Sequence, residues 1–339
     1  MISNQNSGPV KVTVAMMTYN LAQYIEKALD SVLAQKTEFP FVIRIADDAS
    51  DDGTVDILKR YQGKYGDKIE LLLSDKNQGA LANSCRVFDK IQGEYFTFLD
   101  GDDYWVGEDR LQRQVDFLDT HPEYMMVAGN TRYLIDGEAG NFLLKREQLN
   151  QAYSFDDLLH DTMPFFHTSA ILVRNKIYVN GMPQCYWDKI GTFEECALRG
   201  EDFRRIIHLE QGPLYAMDEL VSYYRIHSQG IWQGSTETRR VIETAISNNF
   251  RKKYFGDKYE GYFVKRAEKA YVNLMEMMIY KYGLGHRYSL SGKDNWLFTE
   301  LLRDIGSNEP ENEGQCEVIY KKWEKRVLVM CRKILRWKI

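Results

Sequence analysis

Glu94-Tyr95-Phe96-Thr97-Phe98-Leu99-Asp100-Gly101-Asp102-Asp103 decides the fold class. The first six residues alternate aromatic side chains with a β-branched threonine, the pattern of a buried strand. The last four deliver three carboxylates together where that strand ends, at Asp100. Crowded carboxylates repel one another. A hard divalent cation such as Mg2+ or Mn2+, which takes oxygen ligands, offsets that repulsion. Taken alone, the same four residues also read as a solvated acidic turn.

The chain upstream supplies the context. Residues 10–17 (VKVTVAMM) read as a first strand, buried on both faces. Residues 21–35 place Leu21, Tyr24, Ile25, Ala28, Leu29, Val32 and Leu33 at helical spacing. A second apolar run, 41–46, closes in Asp47-Asp48-Ala49-Ser50-Asp51-Asp52-Gly53-Thr54, and a helix over 54–65, a strand over 69–73 and a helix over 80–91 follow. Strand and helix therefore alternate four times in a hundred residues. That pattern calls for an α/β fold, a mostly parallel Rossmann-like sheet with helices on both faces, whose ligands bind at the carboxyl ends of the strands.

Downstream the pattern is mixed. Residues 110–120 and 193–211 read as helices, 125–129 as extended, 131–144 with Asp136-Gly137 as a hairpin, 167–173 as a strand and 214–226 as one or two strands. Beyond 231 the composition turns charged, tyrosine-rich and helical over 237–254, 259–282 and 295–305. The division expected is a flexible start at 1–9, a catalytic domain at 10–230 and a helical extension at 231–305. A link at 306–315 then leads to a basic C-terminal helix at 316–339.

With 339 residues, 44% of them apolar, the chain is long enough for a sizeable core. A net charge of -5 leaves no basic field to recruit nucleic acid. The five cysteines are scattered without a CxxC pair, so neither a disulfide framework nor a zinc site is indicated, and a reducing cytoplasm fits. The start of the chain lacks the apolar core of a signal peptide, and no run reaches about 18 apolar residues, so no spanning helix is expected.

Two further strand ends carry polar groups. Met17-Thr18-Tyr19-Asn20 closes the first strand, and a tyrosine there can offer a ring to a flat heterocycle; the plainer reading is a turn with Asn20 as helix cap. At the second strand end, Asp48 can accept a hydrogen bond from a base N–H. A calcium loop beginning at Asp48 fails, because position 12 would be Lys59 where a bidentate Glu is required.

In order, VTVAMMTYN, IADDASDDGT, Asn77-Gln78-Gly79, YFTFLDGDD, Arg199-Gly200-Glu201-Asp202 and Tyr224-Arg225-Ile226-His227 resemble the family 2 glycosyltransferases of the GT-A fold across residues 10–228. The resemblance implies a metal-dependent, inverting hexosyl- or N-acetylhexosaminyltransferase of cell-envelope polysaccharide biosynthesis. Its donor would be a nucleoside-diphosphate sugar, a UDP-sugar above all, and its acceptor a glycan or a lipid-linked glycan. Carried over by motif, Thr18, Tyr19, Asp48, Asn77, Asp100, Gly101, Asp102 and Arg225 would bind the nucleotide sugar. Asp102, Asp103 and His227 would hold Mn2+ or Mg2+, and Asp202 would be the general base. Outside that context Glu201 and Asp202 read as a solvated helix face or an ion pair with Arg204 or Arg205, and Trp105 reads equally as acceptor pocket or core.

Processive synthases of this family carry QxxRW and membrane-spanning helices. Neither is present, which favours single transfer. Between Lys321 and Lys338 lie eight Lys or Arg and one Glu, with Trp323, Val327, Met330, Ile334 and Trp337 at helical spacing. Such a helix suits either an anionic membrane surface, which would make the enzyme peripheral at the inner face of the plasma membrane, or a protein surface. Two rivals remain open. A nucleotidyltransferase would want a Gly-rich basic loop at residues 18–22, which the sequence lacks, and a degenerate sugar-nucleotide-binding protein would bind without turnover.

Overall fold

The structure, a computed structural model, describes residues 8–227, 235–282, 290 and 292–306. The tail helix and nearly all of the preceding link fall outside these. Two compact units form, described residues 8–190 with 201–227, and 191–200 with 235–306.

In the first unit β1 (Val12–Thr18), α1 (Ile25–Leu33), β2 (Phe41–Asp47), α2 (Thr54–Tyr65), β3 (Ile69–Leu73), α3 (Ala80–Phe88) and β4 (Tyr95–Phe98) alternate as the apolar periodicity predicts. After the acidic run come β5 (Tyr104–Trp105), α4 (Arg110–Thr120), β6 (Met126–Ile135), β7 (Glu138–Phe142), β8 (Gln151–Tyr153), α5 (Phe155–Leu159), β9 (Ile171–Arg174) and α6 (Gln184–Trp187). The second unit holds α7 (Glu195–Leu198), and the first resumes with α8 (Glu201–Leu209) and β10 (Leu214–Ile226). The second unit then continues with α9 (Glu237–Phe255), α10 (Tyr262–Tyr282) and α11 (Gly292–Gly306).

The sheet runs β3-β2-β1-β4-β9-β6-β10-β5. Its first four strands are parallel, whereas β9 is antiparallel to both β4 and β6. β1 lies between β2 and β4, so the strand order reverses there, and the crevice at the carboxyl ends of β1 and β4 is where an α/β sheet of this kind receives its ligand. Residues Tyr95–Phe98 are buried throughout, as are all of Val12–Thr18 except one, because helices cover both faces. Their core continues through Ile25, Leu29 and Val32 of α1, Leu58 of α2 and Leu111, Val115 and Leu118 of α4.

Several expected boundaries move. The helix expected over 21–35 starts at Ile25, because Asn20 takes a left-handed φ of 54° and the turn after it consumes the next residues. Asn20 is therefore not the cap of α1; its Oδ1 accepts the amide of Asp51 instead. The helix expected over 193–211 is two, α7 and α8, interrupted at Arg199-Gly200 and divided between the units. The strand expected over 167–173 begins at Ile171, with 168–170 coiled into a 3-10 turn. The second unit packs Ile242 and Ile246 of α9 with Leu274 and Met278 of α10 and Leu297 and Leu301 of α11.

Candidate active site

The loops after β1 and β2 are knitted by the carboxylates of the DDASDDGT turn. Asp47 takes the Thr18 hydroxyl at 2.8 Å and the Ser50 hydroxyl at 2.6 Å. Asp52 accepts the amides of Ala22 and Thr54, at 2.9 and 3.0 Å. Asp48 is 3% exposed, and its two oxygens accept the backbone amides of Gln78 and Gly79 at 2.9 and 2.8 Å. It thus ties the Asn77-Gln78-Gly79 loop, ahead of α3, to the end of β2. Thr18 is buried with its hydroxyl turned inward, whereas Tyr19 beside it is 48% exposed and Asn77 is exposed. Of Thr18, Tyr19, Asp48 and Asn77, all expected to bind the nucleotide sugar, two therefore face solvent and two brace the loops.

The acidic run sits across from this turn. Gly101 has no room for a side chain: a Cβ there would lie 2.9 Å from a Leu21 methyl and 3.1 Å from the Thr18 methyl. The glycine thereby lets the end of β4 close against the end of β1. Asp103 is buried; its carboxylate accepts the Ser169 hydroxyl at 2.9 Å and the Arg225 amide at 2.9 Å. Asp100, partly exposed, accepts the Thr168 hydroxyl at 3.2 Å. Burial first, then the charge of Asp102, raises both: Asp100 to about 7, with Glu201 adding to the effect, and Asp103 well above the carboxylate range.

His167, which no motif singles out, completes the cluster. Its Nδ1 lies 3.6 Å from an Asp103 oxygen, its ring stacks on Tyr224 at 4.3 Å, and burial lowers its pKa to about 3. The imidazole is therefore neutral at pH 7, as a metal ligand must be. One ligand atom each from Asp100, Asp103 and His167 lies within 4.8 Å of the others. Oxygen donors from two aspartates and an imidazole nitrogen are a donor set that fits a divalent cation such as Mn2+ or Mg2+. Asp102 and His227, expected beside Asp103 as ligands, make a pair of their own, with His227 Nε2 2.9 Å from the Asp102 carboxylate. The signal missing from the sequence is the meeting of β9 with β4. It places His167, Thr168 and Ser169 beside Asp100 and Asp103, 64 to 68 positions earlier in the chain.

Arg225 reaches the same loop, its Nε donating to the Asp102 carbonyl at 2.9 Å. Asp202, at the start of α8, is half-exposed and ion-paired with Arg205 at 2.7 Å. Neighbouring Glu201 is the member of that dyad whose charge acts on Asp100. Trp105 belongs to the core: it is 4% exposed, donates Nε1–H to the Ser169 carbonyl at 2.9 Å and lies under the Arg110 guanidinium.

The Glycosyl transferase family 2 model matches residues 13–180. An uncharacterized protein of Mycobacterium bovis is 30% identical over 234 residues, which make up 69% of this chain and 64% of that protein. The chain therefore matches less than two thirds of that relative's length. From Bacillus subtilis, TuaG, named for teichuronic acid biosynthesis and glycosyl transfer, is 34% identical over 45% of this chain and 58% of its own. EpsE, named as a glycosyltransferase, is 36% identical over 51% of this chain and 59% of its own. The crystal structure of S. aureus TarS 1-349 in complex with UDP-GlcNAc superposes with a TM-score of 0.56 at 16% identity, covering 89% of this chain and 82% of TarS 1-349. The fold is thus the GT-A fold.

Proposed function

The chain carries a glycosyl transferase family 2 domain over residues 13–180, and from that premise we propose that it transfers a sugar, with inversion, from a UDP-sugar to a hydroxyl of a glycan or lipid-linked acceptor. The observation that carries this reading is the carboxylate cluster at the carboxyl ends of β1 and β4, where Asp100 and Asp103 are held against their own charge. The naming of TuaG for teichuronic acid biosynthesis and the UDP-GlcNAc bound to TarS support a UDP-sugar donor and a glycan acceptor as the substrate class.

Asp100, Asp103 and His167, with Asp102 beside them, would hold the divalent cation. Such a cation supplies Lewis acidity that offsets charge on a leaving diphosphate. The chain's own groups do the rest. Exposed Tyr19 and Asn77 offer the base a ring face and an amide at the edge that Asp47 and Asp48 hold rigid. Arg225, fixed by its bond to the Asp102 carbonyl, offers its remaining guanidinium donors to a phosphate. Asp202 takes the proton of the attacking hydroxyl as the oxygen closes on the anomeric carbon and the carbon–phosphate oxygen bond breaks. Its ion pair with Arg205, at 2.7 Å, orients the carboxylate for that task.

Hydrolysis of UDP-, GDP-, dTDP- and CMP-sugars, each with Mn2+ and with chelator, tests the proposal without an acceptor. Metal-dependent cleavage of one UDP-sugar is the expected result. Silence across the panel, together with no metal-dependent nucleotide binding, would overturn it. The basic tail is proposed to place the enzyme on an anionic membrane, for which removal of residues 317–339 should lower binding to anionic vesicles; unchanged binding would end that part of the reading. Among the described residues, no helix is long and apolar enough to cross a membrane.

A further inference from the structure

Beyond Asp102, Arg225 is joined by a second cation and by aromatic rings to which the proposed transfer gives no role. Lys27 of α1 sets its ammonium 3.7 Å from the centre of the Tyr104 ring, and the Arg225 guanidinium lies 6.0 Å from that same centre and 4.7 Å from the Tyr24 ring. Tyr104 in turn stacks on Tyr223 at 5.0 Å, and His227 packs on Tyr24 at 4.9 Å. Three elements, α1, β5 and β10, thus bring two cations onto one tyrosine platform.

The charges are not balanced. Arg225 spends its Nε on the Asp102 carbonyl and its amide on Asp103, while His227 answers the Asp102 carboxylate. Neither Lys27 nor the outer edge of Arg225 has a carboxylate partner among the described residues. Partial burial lowers the Lys27 pKa, and the nearby charge of Arg225 adds to that effect. Aromatic faces restrain both cations. A flexible point charge beside a planar fork is a donor set that matches a phosphate group.

We infer that Lys27 and Arg225, seated on Tyr24 and Tyr104, form a phosphate-binding site outside the carboxylate cluster. The phosphate comes from one of two sources, the diphosphate of the donor nucleotide or a phosphate carried by the acceptor. The transfer reading bears only on that origin; the site itself stands on the geometry of Lys27 and Arg225.

Inorganic pyrophosphate is the probe, titrated into the full chain in chelator so that no cation site contributes. The wild-type protein should bind it, Lys27→Gln should bind it roughly tenfold more weakly, and Lys27→Arg, which keeps the charge, should retain binding. Lys59→Gln, which removes the same charge from α2, should bind as the wild type does. No binding by the wild type, equal binding by wild type and Lys27→Gln, or an equal loss in Lys59→Gln would overturn the inference. UDP added to the pyrophosphate complex identifies the source: displacement one for one assigns the site to the donor diphosphate, and simultaneous binding assigns it to an acceptor phosphate. Failure of the sugar-nucleotide panel with pyrophosphate binding intact would sink the transfer reading and leave this site standing.

Discussion

Single residues divide the acidic motifs into groups that brace and groups that face the ligand edge. Asp47, Asp48 and Asp52 accept hydrogen bonds from neighbouring loops, whereas Asp202 is half-exposed and bound through Arg205. Asp202→Asn should therefore leave UDP binding close to that of the wild type while lowering transfer at least about 100-fold; equal loss of both would remove the base assignment. His208 offers a pH test of the core. Its Nδ1–H donates to the Arg204 carbonyl at 2.6 Å, its buried Nε2 has no partner, and burial lowers its pKa from 6.5 to about 4. A histidine so shifted contributes stability above pH 6.5 and loses it as pH falls toward 4, because the unfolded chain takes up the proton first. His208→Phe should flatten the decline in unfolding free energy between pH 7 and pH 5 by about 2 kcal/mol, read by urea titration.

Elements, more than residues, decide where the site closes. β6 and β10 run parallel, with the register shifting between Ala216 and Ser222, and Gly129 of β6 lies where β10 comes nearest. A Cβ on Gly129 would sit 2.5 Å from a Val221 methyl and 2.9 Å from the Glu219 carbonyl. Gly129→Ala should cost about 1–3 kcal/mol of stability through overpacking, measured by thermal or urea unfolding. β10 is also the strand that brings the Arg225 amide to Asp103 and His227 to Asp102. A displaced β10 should therefore lower nucleotide affinity along with stability; a Gly129→Ala protein destabilised but unaltered in UDP binding would show the two to be independent.

Across the molecule, the carboxylate cluster ties stability to pH and, on the proposed reading, to metal. Asp100, raised to about 7, and Asp103, raised well above the usual carboxylate value by the same burial, favour the protonated form in the folded chain. The contribution of Asp100 to stability is complete below the usual value of 3.8 and is lost as pH rises through 7, and that of Asp103 has the same sign. A divalent cation reverses the balance, since it binds the ionised carboxylates in competition with protons. Mn2+ should accordingly raise the Tm more at pH 8 than at pH 6, and chelator should abolish the difference. The same Tm shift at both pH values would place the cation elsewhere.

The order of strands and helices through Asp100 was legible in the sequence because each element there is local. Period-2 and period-3.6 apolar patterns mark strands and helices without reference to distant partners, and α2 and β3 fall on their expected bounds. Asp100 to Asp103 were legible for the same reason, as a carboxylate run directly after a buried strand. The broken helix at Arg199-Gly200 and the late start of α1 were not, since apolar spacing continues across a turn that the backbone does not. Least legible of all were His167, Thr168 and Ser169. They belong to the site only because β9 inserts antiparallel between β4 and β6, and a sequence records local periodicity but not which distant strand will lie alongside. Which aspartates exist was written in the chain; which are spent on backbone amides, and which remain for a ligand, was decided by tertiary packing through burial and hydrogen-bond supply.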